Sequence, residues 1–312
     1  MDETLETVAS LYADHSRLYR LGSRNFVSVY PVLSRRARGI SVGINLNLDK
    51  ACNFDCIYCQ VDRTTPGPLP VTGKESAEAR AMVDLVTGEL ATLFGSITDG
   101  TFFHTPPFDR IPPEFKVVRD IAFSGDGEPT LAPSFREVGE AVRRFVSQRS
   151  WGADTPPLLR LITNGSGLFG REARAMVRRV FLEEGKGEIW LKLDCGDPSH
   201  FDRINRSTLS FDRMMEGLDR VVFDLPVTIQ TMVLDYPEEG KGGFVSDRSF
   251  WIPLRDRVLS WSRRGARIEA WHLYSVARPP AVSGVARVPG ERLESWAAEV
   301  RPSLPFPVLV FP

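Results

Sequence analysis

The sequence predicts an α/β fold in which strand–helix units build a parallel sheet covered by helices. From about residue 40, short apolar runs of strand type alternate with longer amphipathic stretches. Most connections between them are short, which is typical of parallel βα units. Six or seven such units favour a barrel over an open sheet. We therefore expect a partial (βα)6-type TIM barrel over residues 40–312, including a C-terminal strand–helix extension, after an N-terminal extension over residues 1–39.

Each element follows from its periodicity. Val42, Ile44, Leu46 and Leu48 alternate as in a strand, whereas apolar residues recur every three or four positions over 75–94 as in a helix. The predicted strands are 41–48, 117–123, 158–163, 188–194, 227–234 and 267–274, with 307–311 as a candidate seventh. The predicted helices are 75–94, 134–148, 171–184, 211–221, 249–263 and 291–300, with Leu11–Leu21 as a candidate N-terminal helix.

Two segments interrupt this alternation. Residues 95–116 are rich in proline and aromatic residues, and residues 235–248 contain three glycines after the fifth strand. Both are long for simple connections. Loops after the strands of a parallel barrel lie on its functional face, so substrate lids are one interpretation. Surface insertions are the other.

Composition and charge narrow the function classes. The chain has 39 basic and 40 acidic residues and a formal net charge of −1, so any nucleic-acid contact must be a local patch, and DNA is not an expected partner. No run of about 18 apolar residues predicts a membrane span. The first twelve residues lack a signal-peptide pattern, so we expect a cytoplasmic protein. A basic N-terminal stretch is either a phosphate-binding surface or a solvated charged face, and it comprises Arg17, Arg20, Arg24, Arg35, Arg36 and Arg38.

Three of the four cysteines fall in one short segment, Cys52-Asn-Phe-Asp-Cys56-Ile-Tyr-Cys59, directly after the first predicted strand. In a reducing compartment such a group indicates metal binding. Three thiolates from one loop can occupy three corners of an iron–sulfur cube and leave the fourth iron open. A structural zinc site normally needs four ligands, and no second cysteine pair or nearby histidine supplies one. Zinc with a ligand from elsewhere, an unreactive cluster and three chance thiols stay as alternatives.

Polar residues follow later strands in the same way. Ser124-Gly-Asp-Gly-Glu-Pro-Thr130 follows the second strand and, taken alone, could be only a tight turn. Asn164 ends the third strand, and Lys192 and Asp194 end the fourth. Gln230 and Thr231 on the fifth strand either face a ligand or are interior polar residues that neighbours satisfy.

The cysteine spacing, with Tyr58 before the last cysteine, resembles the signature of the radical S-adenosylmethionine (SAM) superfamily. More narrowly, the segments Gly43–Cys56, Gly127–Thr130 and Tyr274–Pro280 resemble bacterial and archaeal Fe–S oxidoreductases related to the wyosine tRNA-modification enzymes. The resemblance implies a [4Fe–4S] cluster on Cys52, Cys56 and Cys59, and SAM bound to the open iron. It also implies a set of SAM-binding residues, namely Tyr58, Gly125, Asp126, Gly127, Glu128, Thr130, Asn164, Lys192, Asp194 and Gln230.

The implied activity is reductive cleavage of SAM to a 5′-deoxyadenosyl radical that abstracts hydrogen from a substrate. A reducing partner such as flavodoxin or ferredoxin is then needed, and the substrate is a tRNA base or a small metabolite. Cys195 follows Asp194 and is either a catalytic hydrogen donor or a small buried residue. The alternative function is a non-catalytic Fe–S protein for electron transfer or sensing, which would have no need of the SAM-side residues.

Overall fold

Strands and helices alternate along the described chain, a computed structural model that covers residues 20–21, 24–34, 36–61, 63–64, 75–151, 155–185, 187–236, 246–277 and 280–312. These residues cluster into two units. The first contains described parts of residues 1–51, 66–161 and 179–187, and the second contains those of 52–65, 162–178 and 188–312. Each unit alternates along the chain with the other, so neither is a simple N- or C-terminal half.

The first unit is built on a mixed sheet. Strand β3 pairs antiparallel with β4, β4 pairs parallel with β5, and β5 pairs parallel with β6. A separate two-residue pair, β1 with β2, precedes them. The elements are β1 (Arg20–Leu21), β2 (Arg24–Asn25), β3 (Val29–Ser34), β4 (Gly39–Ile44), α1 (Glu75–Thr98), β5 (Val118–Phe123), α2 (Phe135–Gln148) and β6 (Leu158–Thr163), the last of which ends in the second unit.

The second unit continues the βα order. Strands β7, β8, β9 and β11 are neighbours in that order; β8 pairs parallel with β7 and β9, and β11 pairs parallel with β9. The short strand β10 pairs antiparallel with the end of β8. The elements are α3 (Arg171–Val177), β7 (Gly187–Lys192), α4 (Pro198–Ile204), α5 (Phe211–Asp224), β8 (Val227–Asp235), α6 (Arg248–Arg263), β9 (Ile268–Ser275), β10 (Ala286–Arg287), α7 (Gly290–Val300) and β11 (Val308–Phe311).

The predicted fold class, α/β with parallel strands in the order of a partial (βα)6-type barrel, is confirmed. Several predicted boundaries need correction. Strand β4 ends at Ile44, so Leu46 and Leu48 are buried in the loop after it. The helix predicted at 171–184 ends as an α-helix at Val177 and continues as a π-helical turn and a 3₁₀ turn to Gly185.

The N-terminal predictions fall largely outside the described residues. This holds for most of Leu11–Leu21, whose described end, Arg20–Leu21, is a strand rather than a helix. Strand β3 lies within the predicted extension 1–39 and joins the sheet of the first unit. The domain boundary at residue 40 stays a prediction.

The two irregular segments have different outcomes. Residues 95–116 extend α1 and then form three 3₁₀ turns, with Phe102, Phe108 and Phe115 buried. This segment is therefore packed into the first unit by its aromatic side chains. In the other segment, residues 237–245 lie outside the described residues.

Helix α1 differs from the expectation that no segment suits a membrane span. Its stretch Ala77–Thr98 is long and apolar enough by length and composition. However, Val86, Leu90 and Leu93 on one face are fully buried, as in a helix that packs on a protein core. Glu89 on the same helix accepts backbone N–H groups of Val27, Ser28 and Val29 at 2.7–3.0 Å. A carboxylate that caps the start of a strand in this way has a structural role in the first unit.

Candidate functional site

Each of the three sulfurs of the cysteine loop, residues 52–59 of the second unit, faces a hydrogen-bond donor. The backbone N–H of Phe54 lies 3.4 Å from Cys52 Sγ, Asn205 Nδ2 lies 3.6 Å from Cys56 Sγ, and Arg63 Nη1 lies 3.5 Å from Cys59 Sγ. All three thiols are half-buried. Donors of this kind stabilise negative charge on sulfur.

The loop is held by the segment that follows α4. The N–H groups of Asp55 and Ile57 donate to the carbonyls of Asn205 and Ile204 at 3.1 and 2.9 Å, and Thr208 N–H donates to Asn53 O at 3.0 Å. The rings of Phe54 and Phe201 pack edge to face beside these bonds. The cysteine loop is thus fixed along both its backbone and its apolar side.

Asp194 is the most heavily bonded side chain of this region. Its carboxylate accepts from the Tyr58 hydroxyl at 2.5 Å, from Asn205 Nδ2 at 3.0 Å and from the Met232 N–H at 2.9 Å. Lys192 Nζ lies 2.9 Å from Asp194 Oδ1, the oxygen that also accepts from Met232, whereas Tyr58 and Asn205 donate to Oδ2. Four donors meet the lone pairs of a single carboxylate, so Asp194 organises its neighbours in this structure.

Lys192 lies between two aromatic rings. Its ammonium is 4.7 Å from the ring centre of Tyr58 and 4.8 Å from that of Tyr274, and it donates to the Tyr274 hydroxyl. Burial alone lowers the pKa of Lys192, but Asp194 and Tyr274 outweigh it and the pKa is raised. The raised pKa favours the ammonium form of Lys192. Burial and the adjacent Asp194 raise the pKa of Tyr58 as well, so its phenol stays protonated.

Asn164 lies at the end of β6 and contacts the cysteine loop. It donates to Asn53 Oδ1 at 3.0 Å, and its oxygen accepts from the N–H and the hydroxyl of Ser166 at 2.9 and 2.6 Å. Asn53 Nδ2 in turn donates to Ser166 Oγ at 2.9 Å. This closed ring of bonds ties the loop to the strand end.

Two further predicted residues lie on β8. Gln230 is fully buried and pairs in register with Lys192 of β7 and His272 of β9, so it belongs to the same row of the sheet. Thr231 is also fully buried; it donates to Leu193 O at 2.7 Å and accepts from Trp271 Nε1 at 2.9 Å. Those two bonds satisfy the hydroxyl group of Thr231 within the sheet.

Cys195 is 1% exposed and lines a small cavity with Phe54, Phe201, Met214 and Leu218 among its walls. Its thiol donates to Asn205 Oδ1 at 3.4 Å. Burial, then Asp194, raises the pKa of Cys195 far above that of a free thiol. The same two causes raise the pKa of Cys56 to about 12. In this structure Cys195 is a buried neutral thiol.

The glycine-rich segment belongs to the first unit, where its glycines permit close approach of protein backbone. A Cβ on Gly125 would lie 2.8 Å from Asn45 Cα, and one on Gly127 would lie 2.0 Å from Ala51 O. Asn45 also bonds both the backbone and the carboxylate of Asp126, at 3.1 and 2.8 Å. The glycines are therefore required by the fold whether or not a ligand approaches them.

Glu128 lies in the same segment and is 3% exposed. Its carboxylate accepts from the backbone N–H and the hydroxyl of Thr130 at 3.1 and 2.5 Å. Thr130 and Glu128, both predicted to contact SAM, thus contact each other.

Sequence reasoning missed Asn205, Arg63 and Tyr274. Asn205 is 149 positions from Cys56, so no local pattern connects them. Arg63 is only four residues after Cys59, and a basic residue that close to a cysteine triad is a signal that could have been used. Tyr274 lies within a segment that carried the resemblance, but nothing in its spacing indicates Lys192 as a partner.

The donor set can be tested against the implied cluster. Cysteine thiolates are the usual ligands of a [4Fe–4S] cluster, and here three cysteines come from one loop, each with an N–H group directed at its sulfur. Among the residues that the structure describes, no three His, Cys, Asp or Glu side chains converge as on a single metal ion. Cluster thiolates ligate separate irons and need not converge on one point. The chemistry of the donor set fits the cluster.

Comparisons with solved structures identify the fold to which this chain belongs. Over 97% of this chain and 90% of the other, the structure resembles TYW1 with a bound lysine–pyruvate adduct, with a TM-score of 0.51 and 14% identity. It also resembles a radical SAM methyltransferase from Sphaerobacter thermophilus, with a TM-score of 0.51 and 15% identity over 91% of this chain and 68% of that one. The chain therefore has the fold that these radical SAM enzymes share, which is the fold that the predicted resemblance implies.

The sequence relatives include proteins named UPF0026. A UPF0026 protein of Helicobacter pylori is 24% identical over 61% of this chain and 50% of its own length. One of Methanocaldococcus jannaschii is 27% identical over 60% of this chain and 47% of its own. The chain thus spans about half the length of these curated relatives. No protein-family model matches it.

Proposed function

We propose that this chain is a radical SAM enzyme that holds one [4Fe–4S] cluster on Cys52, Cys56 and Cys59. The observation that carries the proposal is that each of these sulfurs receives a donor, in a loop whose Tyr58 is bonded to Asp194, the partner of Lys192. When bound, the cluster supplies the electron that splits SAM into methionine and a 5′-deoxyadenosyl radical, which abstracts hydrogen from the substrate.

The residues of the chain contribute orientation and charge. Lys192 is held as a cation by Asp194 and offers positive charge to the carboxylate of an amino-acid ligand. Tyr58 is fixed by its bond to Asp194 and keeps its proton. In the first unit, Asp126 and Glu128 are carboxylates that suit an ammonium group. Cys195 keeps the candidate role of hydrogen donor, for which a neutral thiol is the required form.

SuiB of Streptococcus suis, in a structure bound to SAM, shares the fold with a TM-score of 0.50 and 10% identity over 85% of this chain and 49% of that one. This likeness supports SAM as the ligand. A lysine adduct like that in TYW1 is a second candidate chemistry, but it requires a neutral amine. Asp194 and Tyr274 raise the pKa of Lys192 against the effect of its burial, which favours the charged form over the neutral amine that such an adduct needs.

The experiment is anaerobic reconstitution with iron and sulfide, followed by reduction in the presence of SAM. We expect equal amounts of 5′-deoxyadenosine and methionine. Cys56→Ala should lose the cluster by iron and sulfide analysis and by its absorption, whereas Cys195→Ala should keep it. A fully loaded cluster that yields no 5′-deoxyadenosine would leave the alternative, a non-catalytic Fe–S protein for electron transfer or sensing.

Partners and location follow from the same proposal. The chain needs a flavodoxin- or ferredoxin-like reductant, and it acts in the cytoplasm on a small molecule or an RNA base. Comparison of metabolite and RNA-nucleoside profiles with and without the protein separates these substrates.

A further inference from the structure

We propose that Asn205 and Arg63 are positioning residues that set the reduction potential of the cluster through hydrogen bonds to Cys56 and Cys59. This inference rests on the proposed function, since it assumes that the cluster binds to those thiols. Neither residue is among those that the resemblance implies.

The orientation of the Asn205 amide is fixed by its partners. Its nitrogen faces the Asp194 carboxylate at 3.0 Å, which can only accept, and its oxygen faces the Cys195 thiol at 3.4 Å. The second N–H position of the same nitrogen is directed at Cys56 Sγ at 3.6 Å. Asn205 is 3% exposed, so solvent does not compete for this bond.

Asn205 is also held from the backbone side. Its carbonyl accepts from Asp55 in the cysteine loop, and its own N–H donates to Phe201 O in α4 at 2.9 Å. The amide dipole therefore has one direction in the folded protein and remains aimed at the sulfur.

Arg63 adds a full charge at the other end of the loop. Its guanidinium lies 3.5 Å from Cys59 Sγ and 3.7 Å from Asp55 Oδ1, with 26% of the side chain exposed. Asp55 orients the guanidinium but is itself 63% exposed, so water screens its opposing charge more than it screens the contact with sulfur.

The direction of the effect follows from electrostatics. Reduction adds one negative charge to the cluster and its thiolates. N–H donors and a cation at the sulfurs stabilise the reduced state more than the oxidised state, which raises the potential. Removal of either donor should make the cluster harder to reduce.

The test measures the potential of the reconstituted full-length protein by EPR-monitored redox titration without SAM, at matched iron and sulfide content. Arg63→Gln and Asn205→Leu should each lower the one-electron reduction equilibrium constant by about tenfold, which corresponds to roughly 59 mV. Arg206→Gln is the control for charge, because the Arg206 guanidinium also pairs with Asp55, at 4.0 Å. Cys195→Ala is the control for Asn205, because it removes the bond to the amide oxygen and leaves the bond to Cys56 intact.

The outcomes separate the two proposals. If Asn205→Leu fails to fold, the Arg63→Gln variant still tests the inference, because the Arg63 side chain is partly exposed. Equal shifts in Arg63→Gln and Arg206→Gln, or none in either of the two positioning variants, would overturn the inference while the cluster stands. A wild-type protein that assembles no cluster would instead overturn the proposed function.

Discussion

At the scale of single residues, Asp194 shows that a residue predicted to bind a ligand can also hold its neighbours in place. Its position after the fourth strand suggested a SAM contact, and its carboxylate accepts from Tyr58, Asn205 and Met232 in this structure. Lys192 completes the set as an ion pair that is 14% exposed on the lysine side and 1% on the aspartate side. A contact between Asp194 and SAM stays a prediction. The bonds that Asp194 makes would instead position Lys192 and Tyr58 for SAM.

Asp194→Asn should destabilise the protein strongly, because it leaves the buried Lys192 ammonium without its counter-charge. We expect the free energy of unfolding to fall by about 3–5 kcal/mol, as for other buried pairs that lose one partner. The measurement is urea denaturation of the metal-free protein at neutral pH.

The matched control is the double variant Lys192→Met with Asp194→Asn, which removes both charges. It should lose less stability than the single Asp194→Asn change, since no unpaired charge is left in the interior. A single variant that unfolds within about 1 kcal/mol of wild type would mean that Lys192 finds another partner.

At the scale of elements, one carboxylate joins α6 to α7. Glu299 of α7 contacts Arg248 and Arg255 of α6, each at 2.5 Å, and accepts from Trp251 Nε1 at 3.2 Å. Hydrogen bonds from Arg248 dominate the lowering of the pKa of Glu299 to about 2. Below these charges, the indole rings of Trp251 and Trp296 stack at 4.9 Å.

This low pKa predicts a pH dependence. Because the folded pKa is below the unfolded value of about 4.3, the ion pairs contribute stability above that value, and the contribution is lost as pH falls towards 2. Glu299→Gln should therefore lose about 1 kcal/mol at pH 7, since the pairs are partly exposed and screened. The difference from wild type should vanish near pH 2. A constant difference across that range, measured by urea denaturation, would show that the loss comes from packing and not from charge.

Most elements were predictable because their periodicity is strong, whereas the missed ones are short or interrupted. Strand β6 matches its prediction at both ends, and α2 and α6 begin within one residue of theirs. Strand β3 was missed because Pro31 lies within it, which is tolerated only where a strand needs no donor at that position. Helix α4 has only seven residues, too few for a helical period to show in the sequence.

The site was predictable only where its residues are close in sequence. Three cysteines and Tyr58 lie within one turn-rich loop, so their spacing is itself a signal. The bonds that hold them come from Asn164 and Asp194, which follow strands β6 and β7, and from Asn205, which follows helix α4, so all three are distant from the cysteines in the sequence. The glycines of the first unit were found, but the backbone they make room for, at Asn45 and Ala51, could not be read from the motif.

At the scale of the whole molecule, the charge balance predicts weak binding to nucleic acid in general. Basic and acidic residues are nearly equal, 39 and 40, so phosphate neutralisation cannot drive non-specific affinity. We expect fluorescence anisotropy to detect no saturable binding of duplex DNA tighter than about 10⁻⁴ M at ~0.15 M salt. Micromolar binding to unrelated DNA that falls steeply with salt would contradict this expectation and would indicate a basic surface that the net charge conceals.

An RNA substrate would have to bind to a local basic patch, and the N-terminal arginines are the candidate for that patch. In that case the double change Arg36→Gln with Arg38→Gln should reduce the slope of log affinity against log salt by about 2.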